Sequence, residues 1–447
     1  MNLAVSEAKA PSQSQKGSRL VLWRKLGYAV GGFGTDIASN AISFYLIFYL
    51  ITVVGLEPAT AGLLVGAPKI LLVALDPVMG AISDQVRSRL GRRRFFLAIC
   101  GPLSGLLFCM QFMAPGQDLY LIMAYSWIVQ FAYTANLSML MVSYNAMEAE
   151  LSPSSAERMQ LVSMRQAFGI VGAIVGSALA LLLVSAFGGG RQGFAGLGLV
   201  YGSLVSMSFV AVVIFTPAEE PSRVCLSSFW RETRLTLRLR SFWLQAGIIF
   251  LCNLAVTVNN ATLVFYIDYV HGLAGILPLA VLLSSLVGLL SLPGWNWLAG
   301  RWGSRRTFTV GLFINAAVLL SLRYAPERSM NLLWTTTSFS GLGSAALSIF
   351  PRTMLADLIS YDSAVQGRSR AGNIVGLWGL GSRAGLAVGN ALAGWLLAVI
   401  GYSRGVTVSP QLQEGLRMIL GYVPSISCLL VVPLLALFTL SRTETKE

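Results

Sequence analysis

The chain has 447 residues, of which 32 are lysine or arginine and 19 aspartate or glutamate; 11% are charged and 55% hydrophobic. A soluble domain carries about 25% charged residues, so this composition excludes a disordered chain, a coiled coil and an ordinary cytosolic enzyme, whose water-facing surface needs far more charge. A net charge of +13 would point to nucleic acid in a soluble protein, but in a membrane protein the first question is which side carries it.

The apolar runs indicate one polytopic membrane protein. Residues 1–25 form a polar, basic tail without a short apolar core and cleavage site, so the first apolar segment is expected to be an uncleaved anchor. A membrane-crossing helix needs about 20 apolar residues, and twelve such segments are predicted. The first six are Leu26–Val53, Pro58–Ser83, Phe95–Ala114, Leu119–Met147, Gln160–Phe187 and Phe194–Phe215. The second six are Phe242–Tyr269, Gly275–Leu298, Phe308–Tyr324, Asn331–Ile359, Gly372–Ile400 and Leu416–Leu440. The expected fold is therefore an all-α membrane protein with six-helix bundles over 26–215 and 242–440, a central charged loop over 216–241 and a tail over 441–447.

With the N-terminus inside, 23 lysines and arginines fall in inner segments and 4 in outer loops, which places both termini in the cytoplasm. Most of the excess charge then sets orientation, and no nucleic-acid partner is expected. The five cysteines lack metal-ligand spacing and there is a single histidine, His271, so neither a metal nor a cofactor is expected. The chain has no nucleotide loop or nucleophile elbow, which argues against an enzyme. The expected form is a monomer in contact with membrane lipid and a small-molecule substrate.

The two halves share a short feature. After the second segment come Gly80 to Asp84, Arg87, Arg89 and Gly91 followed by Arg92, Arg93 and Arg94; after the eighth come Gly300, Arg301, Gly303, Arg305 and Arg306. A glycine turn with an arginine cluster at the same place in each half fits a parallel six-helix repeat, the architecture of major facilitator transporters. Gly80, Asp84, Arg92 and Arg93 are candidates for a conformational loop.

A charge within the bilayer costs about 2.5–3.5 kcal/mol or more. Asp36 lies ten residues into the first segment, about 15 Å deep and near the midplane. Lys69 in the second segment and Arg383 in the eleventh lie at similar depth, and Asp36 with Lys69 could form an ion pair. Asp76, two turns beyond Lys69, and Arg165, Arg352 and Asp357 lie toward the inner ends. Structural bridging and a binding role are both open for these charges. Thr35, Asp36, Ser39, Asn40 and Ser43 make one polar stripe. Gln130, Tyr133, Asn136 and Asn145 in the fourth segment, Asn253, Asn259 and Asn260 in the seventh, and Asn373 and Trp378 in the eleventh add polar or aromatic candidates. Each asparagine could hold a substrate hydroxyl or bridge helices.

Tyr28 to Asp36, the block Asp76-Pro77 through Asp84, Tyr144-Asn145 with Glu150, Glu157-Arg158 with Arg165, Ala356-Asp357 with Tyr361-Asp362, and Gly367-Arg368 resemble the glycoside–pentoside–hexuronide cation symporters, the melibiose permease group of the major facilitator superfamily. The resemblance implies alternating access, with Asp36 contacting sugar hydroxyls, Arg165 near the sugar and Asp76 in the cation site. Arg383 stands where the family commonly has a lysine. Leu72 and Met141 stand where well-studied members have further acids, and Asn145 replaces a sugar-stacking aromatic. Sodium wants several oxygen ligands, so coupling to a proton through Asp76 or Asp36 is expected ahead of sodium. Lys69 also matches, by a single residue, a lysine of animal lysophospholipid carriers.

The expected function is sugar, glycoside or hexuronide transport across a bacterial inner membrane, with Asp36, Lys69, Asn145, Arg165, Trp378 and Arg383 around the substrate. The alternative is an anionic or amphipathic solute such as a lysophospholipid or organic acid, and a minor alternative is a non-transporting sensor or assembly factor.

Overall fold

The computed structural model describes residues 21–71, 88, 90–116, 118–151, 155–217, 234–272, 276–324, 330–366, 371–403, 405 and 408–438. In chain order the long helices are α1 (Leu22–Ala41, continued in wider turns through Ile42–Leu46 and Tyr49–Val54), α2 (Pro58–Leu71), α3 (Arg92–Gln111), α4 (Leu119–Leu151) and α5 (Ser155–Ala178, carried on by Ala180–Ala186). They continue as α6 (Gly190–Phe215), α7 (Arg240–His271), α8 (Leu277–Trp302), α9 (Ser304–Arg323), α10 (Met330–Gln366), α11 (Ala371–Val399) and α12 (Pro410–Leu437). Each falls on one predicted segment, and together they form the twelve-helix major facilitator fold. α12 runs beyond its apolar stretch because a cap, not hydropathy, sets its start. α12 begins at Pro410 because the Ser409 hydroxyl accepts the Leu412 N–H at 3.2 Å with proline at the first helical position. Among the described residues nine helices are long and apolar enough to cross a membrane. α1, α2 and α4 fall outside that set: α2 is described over only 14 residues, and α1 and α4 carry the polar stripe and the Gln130–Asn145 series.

The packing repeats with a shift of six helices. In the first half α1 packs on α5 and α6, α3 on α4 and α6, and α2 on α4; in the second half α7 packs on α11 and α12, α9 on α10 and α12, and α8 on α10. The halves meet through α2 on α11 and α5 on α8, two pairs that the same shift exchanges. The glycine–arginine feature seen in the sequence is part of this repeat. Gly91 and Gly303 precede α3 and α9 with φ of 92° and 86°, a region that favours glycine. An arginine just inside each helix then caps the half's last helix: Arg94 Nε donates to the Val213 carbonyl at 3.1 Å, and Arg305 Nη2 to the Ala436 carbonyl at 2.8 Å. A guanidinium at a helix C-terminus satisfies an orphan carbonyl and the helix dipole together.

Glycines set the helix spacing. In lipid, apolar burial gives helices no reason to prefer each other over the tails, so close van der Waals contact must supply the attraction. Along the α1–α5 crossing, a Cβ at Gly172 or Gly176 would strike the backbone of Phe33 or Ile37. The equivalent α7–α11 crossing has Gly381 against Ala246, Gly385 against Phe250 and Gly389 against Thr257. At the α2–α11 seam a Cβ on Gly62 would lie 2.7 Å from the Asn390 carbonyl, and one on Gly394 would lie 2.6 Å from the Gly62 Cα.

Trp23, Trp243, Trp297 and Trp302 are exposed where helices meet the arginine-rich end, with the Arg24 guanidinium 5.2 Å from the Trp23 ring and Arg301 5.5 Å from Trp297. Amphipathic rings at the headgroup level and basic side chains beside them mark one face of an integral membrane protein. Because backbone cannot move aside, Gly62→Val and Gly394→Val are each expected to lower the thermal unfolding midpoint of the purified protein by at least a few degrees. Gly294→Ala, at a position facing open space, serves as the comparison and should leave the midpoint near wild type.

Candidate functional site

The site begins on the polar stripe of α1. Thr35 Oγ1 donates to the Gly31 carbonyl at 2.6 Å, Ser39 Oγ to the Thr35 carbonyl at 2.8 Å and Asn40 Nδ2 to the Asp36 carbonyl at 2.9 Å. These groups are satisfied by their own helix. The Asp36 carboxylate makes no hydrogen bond or ion pair with the described residues. It lies against α5 at Gly169, where a Cβ would collide with its oxygen. Arg165 lies one turn earlier on the same helix.

Arg165 is held on a rigid support. Its Nη1 donates to Asn145 Oδ1 of α4 at 2.7 Å, and its guanidinium sits 4.5 Å from the centre of the Tyr144 ring. Tyr144 Oη donates to the Tyr28 carbonyl at 2.6 Å, Tyr28 Oη donates back to the Tyr144 carbonyl at 3.4 Å, and the two rings are 4.7 Å apart. This reciprocal pair is buried and ties α1 to α4. The guanidinium therefore stacks on a fixed aromatic face, and Asn145 holds its edge.

The second half reaches the same place through α10. Arg352 Nη1 donates to Gln166 Oε1 of α5 at 3.2 Å. Arg352, Arg165 and Asp36 lie within electrostatic range of one another. Beside Arg352, the buried Gln245 of α7 donates to the Pro351 carbonyl and ties α10 to α7. One carboxylate, two guanidiniums and two amides thus converge from α1, α4, α5 and α10, on both sides of the seam. Asn145, Gln166 and Arg352 are exposed.

At the opposite end, the halves are packed shut. Thr52 Oγ1 and Tyr402 Oη are 3.2 Å apart, Tyr402 Oη donates to Tyr269 Oη at 2.8 Å, and Gln413 Nε2 donates to the Tyr269 carbonyl at 3.0 Å. The Phe48 and Phe265 rings are 5.4 Å apart and those of Phe265 and Tyr402 5.0 Å. Asn260 Nδ2 donates to Ser43 Oγ across the seam at 3.3 Å. The largest buried apolar cluster runs through this end from one half into the other.

A family model described as MFS/sugar transport protein matches residues 27–442. The chain belongs to this family. It is 24% identical over 440 residues to an isoprimeverose transporter of Lactiplantibacillus pentosus, covering 96% of this chain and 91% of that one. It is 23% identical over 403 residues to the inner membrane symporter YicJ of Escherichia coli (strain K12), covering 87% and 85% of the two chains. A crystal structure of the nucleoside transporter NupG superposes with a TM-score of 0.70 at 10% identity, over 94% of this chain and 100% of that one. That likeness concerns the fold.

Of the sequence-derived candidates, Asp36, Arg165 and Asn145 come together. Lys69 stays on α2, which packs on α11, while Asp36 faces α5; the Asp36–Lys69 pair does not form, and Lys69 makes no hydrogen bond or ion pair with the described residues. Trp378 packs with Leu355, Leu358 and Ile374 between α10 and α11, its buried indole N–H having no hydrogen-bond partner among the described residues. Arg383 is half-buried on α11, two residues before Gly385, and is engaged by other groups. Gly80, Asp84 and Asp76 lie outside the described residues, as does the Arg92 side chain; Arg93 is buried. Three asparagines prove to be bridges: Asn136 Nδ2 donates to the Cys100 carbonyl at 3.0 Å and to Ser104 Oγ at 2.6 Å, Asn253 Nδ2 to Ser382 Oγ at 2.9 Å, and Asn260 Nδ2, as above, to Ser43 Oγ. The sequence left Arg352 undecided, since depth alone does not say which way an arginine faces. The neighbouring Pro351, which breaks the helix ladder, was the available signal.

Gly169→Ala would push the Asp36 carboxylate out of place without touching a substrate directly. Uptake by the reconstituted variant is expected to fall at least tenfold with an unchanged size-exclusion profile. Uptake at the wild-type rate would show that the carboxylate position does not matter for transport.

Proposed function

We infer that the chain is a secondary active transporter that carries a sugar or glycoside by alternating access, with a proton as the coupling ion. The observation that carries this is the convergence of Asp36, Arg165 and Asn145 at the seam, facing Arg352 of the other half, in a chain of the MFS/sugar transport family. A carboxylate accepts sugar hydroxyl protons, a guanidinium donates to hydroxyl oxygens and an amide does both. A site between two repeats that can rock about it is the arrangement alternating access requires.

The proton is favoured by ligand chemistry. Sodium is held by several oxygens in a compact site, and Leu72 and Met141 remove the carboxylates that would supply them. A single titratable acid is enough for a proton, and Asp76 is the candidate. The arginine-rich end, with its exposed tryptophans, is assigned to the cytoplasm and both termini with it. The membrane is taken to be a bacterial inner membrane, and the transporter a monomer. In this orientation the site is reached from the cytoplasm, and the Tyr402–Tyr269–Thr52 closure is the outer gate. A second reading, an anionic or amphipathic solute, is favoured by the two guanidiniums around one carboxylate.

The test is uptake by proteoliposomes under an inward proton gradient from a panel of pentosides, hexosides and hexuronides. Accumulation of at least one is expected, and uptake of none would end this reading. Asp76→Asn is expected to abolish gradient-driven accumulation while substrate exchange continues. Accumulation at the wild-type level would remove Asp76 from the coupling step.

A further inference from the structure

Arg352 is not needed to bind a neutral sugar. Asp36, Arg165 and Asn145 already offer acceptors and donors, and the Asp36–Arg165 couple is electrically balanced. Arg352 adds a second guanidinium on the exposed face of the seam, and the three side chains by themselves sum to +1. A charged side chain at such a place pairs with another group or marks a substrate pathway. Its partner in the structure is modest: the neutral Gln166 amide accepts from Nη1 at 3.2 Å, one of the five donors a guanidinium carries. Asp36 is in range of both arginines but bonds to neither.

The place is also built. Arg352 follows Pro351, whose carbonyl is held by the buried Gln245 of α7. On the other side of the seam, Arg165 is fixed by Asn145 and the Tyr144 ring. Two planar forks from opposite halves face one region, and a carboxylate is the small anion whose two oxygens match a guanidinium bidentately.

We propose that Arg352 selects for a carboxylate on the substrate: with Arg165 across the seam it binds the acid group of a hexuronoside, while Asp36 takes the sugar hydroxyls. Gln166 holds the Arg352 fork until the carboxylate replaces it. A monoanion neutralises the trio, whereas a phosphate dianion would leave it negative. Because the carboxylate touches both halves, it also joins them through the ligand. This inference rests on the sugar-transport reading above and names the substrate class of the same site.

The experiment compares binding of a methyl hexuronoside and its neutral methyl hexoside isostere to the purified full-length protein, by the ligand-induced rise of the thermal midpoint and by competition. Wild type is expected to favour the acid by at least tenfold. In Arg352→Met, of similar length and uncharged, that ratio is expected to fall to near one. Arg352→Lys should restore part of it, since charge is kept but the fork is lost. The midpoint without sugar verifies that each variant is folded. A ratio near one in wild type, or an unchanged ratio in Arg352→Met, overturns the proposal. A hexose phosphate that outcompetes the hexuronoside overturns the carboxylate assignment. Binding of the neutral sugar alone removes this proposal and leaves sugar transport standing; binding of neither sugar removes both.

Discussion

Backbone-to-backbone contact between helices is the constraint on which the rest of this molecule depends. Lipid tails are as apolar as leucine, so helices gain cohesion from proximity and shape. The glycines at the α1–α5, α7–α11 and α2–α11 crossings let backbones approach until a single Cβ would have no room. These crossings are related by the six-helix shift or exchanged by it. One packing device, used in both halves, therefore fixes the bundles and the seam between them.

The same device places the site. Asp36 can lie over the α5 backbone only because Gly169 has no side chain, and Arg165 is delivered one turn away by the same close approach. Tyr28 and Tyr144 lock α1 to α4 through two reciprocal hydrogen bonds and so present the face on which Arg165 rests. The polar groups divide accordingly. Thr35, Ser39 and Asn40 satisfy themselves on α1, and Asn136 and Asn253 bridge helices. What faces the seam without a structural duty is chiefly charge.

This division explains what could be seen in the sequence and what could not. Segment length and hydropathy located every helix, because the hydrocarbon thickness acts on composition directly. The repeat showed as Gly91 and Gly303 with their arginines, because a positive φ leaves a residue-type signature. Helix ends such as Pro410 were misplaced, since capping by Ser409 acts in water beyond the apolar stretch. Asp36, Arg165 and Asn145 were picked out by resemblance and depth. The pairing of Asp36 with Lys69 was not realised, because similar depth does not fix the face a residue presents. Arg352 could be assigned only once α5 and α10 were seen to meet at Gln166, a contact between residues 186 positions apart.

The balance of charge at the seam ties the two halves together functionally. With one carboxylate and two guanidiniums within range of one another, each half contributes a cation to this trio and the first half its acid. Asp36 attracts Arg352 more strongly than Arg165 repels it, so the acid draws the two halves together around the site against the mutual repulsion of the arginines. A ligand that engages groups of both halves adds to that attraction only where its contacts are stronger in the closed arrangement than in the open one. Only such differential affinity can shift a conformational equilibrium. At the far end Tyr402, Tyr269 and Thr52 are held by neutral hydroxyl contacts, which close without charge and can be exchanged for water at small net cost. Opening that end while the arginines draw together around a ligand is the motion for which this distribution of polar groups is suited.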